Sequence, residues 1–105
     1  MIEIDAPTVH EWMKRGEAVL VDVREDEEYA EERIPGTLPF PLSRFDPGNL
    51  PGEPGKKTAL TCFIGGRSNE AAERLLAAGH DETFQLDGGL FAWKKAGFTT
   101  DTNLR

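Results

Sequence analysis

Short apolar runs alternate with helical patterns along the whole of this chain, and no other feature narrows its possible folds so far. Residues 2–4 read as a short strand. Residues 7–15 read as a helix, with Pro7 in its first turn, Val9, Trp12 and Met13 at helical spacing, and Gly16 as its stop. Residues 18–23 form a continuous apolar run of the kind that is buried on both faces of a sheet. A short acidic helix over 26–30 follows, then a Pro35-Gly36 turn before a strand near Leu38. Residues 59–61 read as a strand, 69–78 as a helix presenting Ala71, Ala72, Leu75 and Leu76 on one face, and Gly79 as its cap. Residues 83–86 are a last strand, Gly88-Gly89 a turn, and 90–96 a final helix ended by Gly97. Strands interleaved with helices predict an α/β layer fold with a largely parallel sheet, whose ligands gather at the carboxyl ends of the strands. Residues 39–57 carry Pro39, Pro41, Pro47, Pro51 and Pro54 and read as a long surface connection with one helical turn at 42–45.

With 105 residues, 38% of them hydrophobic and 30% charged, the chain is expected to form one soluble domain, residues 1–105, with a single core. A net charge of −7 argues against nucleic acid as a partner, since that needs a basic footprint. The first residues hold neither a basic segment nor a long apolar stretch, so neither a signal peptide nor a membrane span is expected. One cysteine permits no internal disulfide, which fits a reducing, cytoplasmic location.

That cysteine, Cys62, opens a glycine-rich turn, Cys62-Phe63-Ile64-Gly65-Gly66-Arg67-Ser68, between a strand and a helix. Backbone N–H groups of such a turn, together with the positive end of the helix, make a nest for negative charge. Gly65 and Gly66 permit the sharp bend this needs. A thiol placed there favours its thiolate, which is the nucleophile. Arg67 adds a permanent positive charge, either to bind an oxyanion or to pair with Asp22 or a glutamate and hold the loop in shape.

The same heptad resembles the C-x-x-G-x-R-S active-site loop of single-domain rhodanese-like sulfurtransferases. The likeness covers nearly the whole chain. Leu20-Val21-Asp22-Val23-Arg24-Glu25 is similar to the family's strand-end D-V-R segment and is followed by Glu28-Tyr29. Ile34-Pro35-Gly36-Thr37 resembles its H-I-P-G-A turn, and Asp87-Gly88-Gly89-Leu90-Phe91-Ala92-Trp93 its G-G-x-x-A-W signature. The resemblance implies a three-layer domain, with a mostly parallel central sheet of about five strands and helices on both faces. It implies that the Cys62 thiolate takes the outer sulfur of a donor such as thiosulfate and passes it to cyanide or a thiol, without a cofactor. Phe63, Ile64, Gly65, Gly66 and Arg67 would form the loop around the sulfur, with Asp22, Arg24 and Ser68 as its support. Arg33 and Thr37 depart from the histidine and alanine usual in the family's turn, and both positions are expected to shape that turn. Phe63 and Ile64 are apolar where thiosulfate-preferring members often place polar or cationic groups. They either contact a sulfur-relay protein partner or pack under the loop.

Phosphatases and arsenate reductases of the same fold are the rival enzyme class, but their loops resemble one with a further residue between cysteine and arginine. Here Phe63, Ile64, Gly65 and Gly66 alone intervene. A partner-binding regulatory module with little turnover is the alternative from another class. His10 and His80, with one cysteine, show no metal-ligand spacing. Trp12, Trp93 and the phenylalanines read as core, and the acidic run from Glu25 to Glu32 as a solvated face.

Overall fold

The computed structural model describes residues 1–80 and 82–102. In chain order its elements are β1 (Ile2–Ile4), α1 (Ala6–Lys14), β2 (Ala18–Asp22), α2 (Asp26–Glu31), β3 (Glu32–Arg33), β4 (Leu38–Pro39), β5 (Lys57–Thr61), α3 (Gly66–Ala77), β6 (Phe84–Leu86), α4 (Gly89–Lys95) and β7 (Asp101–Thr102). Five strands form one parallel sheet in the order β1-β6-β5-β2-β4. At its centre β2 and β5 run in full register, from Ala18 opposite Lys57 to Asp22 opposite Thr61. Because every strand points the same way, Asp22, Thr61 and Leu86 all finish at one end of the molecule.

Every residue of β2 is buried, the apolar Ala18 to Val21 as a doubly covered strand requires and Asp22 through its pairing with Arg24. Successive side chains then serve opposite layers. Leu20 joins Val9 of α1, Ala59, Leu86, and Leu90 and Trp93 of α4 on one face. Val19 and Val21 join Leu60 and the Ala71, Ala72, Leu75 stripe of α3 on the other. This is the three-layer α/β arrangement that the sequence resemblance implies.

The predicted elements are present, and their edges move for local reasons. Asp5 caps α1 by accepting from the Thr8 N–H at 2.9 Å, so the helix starts one turn position before Pro7. Gly79, at φ +100°, and His80 send their N–H groups back to Leu76 and Leu75, both at 3.1 Å, which closes α3 as a Schellman motif. The 39–57 connection is more than a surface strap. Two 3-10 turns, Leu42–Arg44 and Pro47–Asn49, fold it back. Phe40, Leu42, Phe45 and Leu50 then pack onto the α3-side core. The antiparallel pair β3–β7 has no counterpart in the sequence reading, since two residues per strand carry no periodicity.

Candidate active site

Cys62 directly follows β5, and the chain turns so tightly after it that α3 begins at Gly66, three residues before the predicted start. Arg67 and Ser68 therefore belong to the first turn of α3 rather than to the loop. Gly65 makes the bend at φ +143°, where a side chain is strained. Among the described residues no side chain caps α3, which leaves the positive end of the helix uncapped beside the cysteine turn. The Gly65 N–H donates to Cys62 Sγ at 3.0 Å. The thiol in turn donates to Ser68 Oγ at 3.5 Å, and that hydroxyl donates to the Gly65 carbonyl at 3.1 Å. Cys62 itself is only 1% exposed.

The outer side of the loop is fixed by a second helix. Leu90 and Phe91, in the first turn of α4, donate to the Cys62 and Phe63 carbonyls at 2.9 and 3.0 Å. These bonds fix the Cys62 and Phe63 carbonyls against α4. The approach is close enough that a Cβ on Gly89 would lie 2.3 Å from the Cys62 carbonyl oxygen. On the inner side, buried Gln85 donates to the Gly65 carbonyl at 3.3 Å.

Arg67 is held by Glu28 of α2 through both terminal nitrogens, at 2.5 and 2.9 Å. The Arg67 hydrogen bonds are the main reason the Glu28 carboxyl is lowered to about 2, and the same contact raises Arg67. Asp22 does not reach the loop. It is buried against Arg24, whose Nε and Nη2 meet its carboxylate at 2.7–3.0 Å. Arg24 Nη2 also donates to the Glu32 carbonyl at 2.7 Å, tying the end of α2 to β2. Asp22 and Arg24 thus brace the helix that carries Glu28.

The acidic run is largely engaged instead of being a bare solvated face. Glu25 and Glu28 form a capping box at the start of α2, and Glu25 accepts from Ser43 Oγ at 2.6 Å. Glu32 accepts from Lys94 and Thr100. The two departures in the turn do shape it. Arg33 lies 5.1 Å over the Tyr29 ring, and Thr37 Oγ1 donates to the Ile34 carbonyl at 2.8 Å while its own carbonyl accepts from the Tyr29 hydroxyl at 2.7 Å. Trp93 is core as expected, but Phe63, Ile64 and Phe91 are exposed. Neither Phe63 nor Ile64 packs under the loop. His10 stacks on Phe98 at 4.2 Å, away from Cys62.

Glu28, Gln85 and Gly89 were not among the expected site residues, although Glu28 and Gly89 lie in the motifs quoted above. Each left a trace: a glutamate at capping-box spacing, a polar residue inside an apolar strand, and a doubled glycine before a helix. Two open clefts, about 570 and 900 Å³, lie where β2, β5 and β6 begin, lined by Ala18 and Lys56 in one and by Thr58 and Phe84 in the other. Cys62 lies at the opposite end, buried beneath the turn with the Gly65 N–H on its sulfur.

A parallel sheet flanked by helices, with a cysteine cradle at its carboxyl end, defines the class, and comparison with known proteins agrees. The Rhodanese-like domain family matches residues 5–96, and the chain belongs to that family. An uncharacterized protein of Synechocystis is 39% identical over 94% of this chain, which spans 55% of that relative's length. The thiosulfate sulfurtransferase GlpE of Coxiella burnetii is 29% identical, covering 89% of this chain and 87% of its own. A rhodanese-related protein of Thermoplasma volcanium superposes with a TM-score of 0.81 at 28% identity, over 98% of this chain and all of that one.

Proposed function

We propose that this domain is a sulfurtransferase that carries sulfane sulfur on Cys62. The observation that carries the reading is the Gly65 N–H at 3.0 Å from Sγ, at the uncapped start of α3. The likeness to GlpE supports it at the level of the family.

In the first half-reaction the Cys62 thiolate attacks the outer sulfur of thiosulfate. The bond between the two donor sulfurs breaks, sulfite leaves with its electron pair, and a Cys62 persulfide remains. In the second, cyanide or a thiolate attacks the outer sulfur of that persulfide and restores the thiolate. The negative charge on the outer sulfur falls in front of the first-turn N–H groups of α3, which act on it as an oxyanion hole acts on oxygen. Glu28 holds Arg67 in place without touching the sulfur. The chain contains no second cysteine, so the sulfur leaves by way of an external acceptor. Steady-state thiocyanate formation from thiosulfate and cyanide tests this. The wild-type protein is expected to turn over, and Cys62→Ala to lose turnover while melting as a folded protein. Undiminished turnover in Cys62→Ala overturns the reading.

A further inference from the structure

The rim of the cradle is apolar. Phe63 and Ile64 are 41% and 64% exposed, and Phe91, reaching across from α4, is 53% exposed. The Phe63 and Phe91 rings meet edge to face, with centroids 6.3 Å apart, and the Phe91 N–H to the Phe63 carbonyl locks the two elements together. Large apolar side chains left uncovered around a buried nucleophile offer contact area to whatever approaches the sulfur. The charge pattern points the same way. Arg67 is the cation of the 62–68 segment, and Glu28 already occupies both of its terminal nitrogens. The net charge of −7 repels a dianion more strongly than a monoanion at long range.

Resting on the sulfurtransferase reading above, we propose that the preferred donor is a small organic one with an apolar body and a single negative charge, such as an organic persulfide or thiosulfonate. Phe91 is then a specificity-determining residue. For a thiosulfonate the step balances in the same way as for thiosulfate. The thiolate bonds to the outer sulfur, the bond between that sulfur and the sulfonyl sulfur breaks, and a sulfinate leaves with the electron pair.

Three donors separate charge from apolar contact: thiosulfate, a dianion; methanethiosulfonate, a monoanion with a minimal body; and benzenethiosulfonate, a monoanion with an aromatic body. Their kcat/KM values are compared in the wild type and in Phe91→Ala and Ile64→Lys, so that intrinsic donor reactivity cancels in each ratio. The benzene-to-methane ratio is expected to fall about tenfold in Phe91→Ala, the scale on which an apolar pocket discriminates. Ile64→Lys is expected to raise thiosulfate relative to benzenethiosulfonate. A benzene-to-methane ratio unchanged in Phe91→Ala overturns the inference, as does a thiosulfate-to-benzenethiosulfonate ratio unchanged in Ile64→Lys. Sulfur loading from a persulfidated protein alone, with all small donors inert, overturns the small-donor assignment but leaves Cys62 as carrier. Loading from no donor overturns the sulfurtransferase reading itself.

Discussion

Gly89 governs the cradle by what it lacks. At φ +57° and with the Cys62 carbonyl oxygen 2.3 Å from where a Cβ would stand, Gly89→Ala forces α4 off the loop. The expected cost is about 3 kcal/mol or more in urea unfolding. Gly66, one residue into the same cradle, has open space at its Cβ position. Gly66→Ala is expected to leave stability unchanged or raise it by about 0.5 kcal/mol. Equal losses in the two variants would refute the role given to Gly89. Asp22→Asn is expected to cost about 3 kcal/mol or more, because it leaves the Arg24 guanidinium buried without its carboxylate. A loss below about 1 kcal/mol would mean that α2 is anchored elsewhere. At this scale the sequence displayed Cys62, the glycines and Arg67, since local chain geometry alone constrains them. Glu28 and Gln85 were not legible as site residues, because what each does is decided by a partner far away in sequence.

The elements meet at the site in a fixed order. Arg24 ties α2 to β2, Glu28 ties α2 to α3, and the N–H groups of α4 hold the loop between α3 and β5. The Glu28–Arg67 tie has a pH signature. The Glu28 carboxyl is lowered to about 2 in the folded protein from an ordinary value of 4.5. Its contribution is therefore fully present above about pH 5 and disappears as pH falls from about 4.5 through about 2. Both side chains are more than one-third exposed, so solvent screening limits the pair to about 1 kcal/mol. The difference in stability between wild type and Glu28→Gln should be constant from pH 7 to about pH 5 and vanish near pH 2. A difference that persists unchanged at the acid end would rule out this origin. Helices and strands with several apolar residues were legible because period and capping agree along them. The early start of α3 was not, since Gly66, Arg67 and Ser68 have no apolar periodicity and are drawn into the helix by the bend at Gly65. The packing of the 39–57 connection was hidden by its prolines, which mark turns but say nothing of the face that Phe40 and Phe45 cover.

For the whole molecule, parallel topology gathers the carboxyl ends of the five sheet strands at the side where Cys62 stands, and the net negative charge sets the field through which a donor arrives. Added salt screens that field. The kcat/KM for thiosulfate is expected to rise about twofold between roughly 0.01 and 0.15 M ionic strength, and less for a monoanionic donor. A steep fall with salt would instead indicate attraction by a local cationic site. The overall architecture was readable because alternation of element types leaves few ways to bury both faces of a sheet. Whether Cys62 carries sulfur is decided most directly by intact-mass measurement after exposure to thiosulfate and to benzenethiosulfonate. The wild-type protein should gain the mass of one sulfur atom and lose it again on addition of cyanide, while Cys62→Ala gains nothing. A wild type that gains no mass from either donor, or a Cys62→Ala variant that gains as much, would contradict the assignment of Cys62 as the carrier.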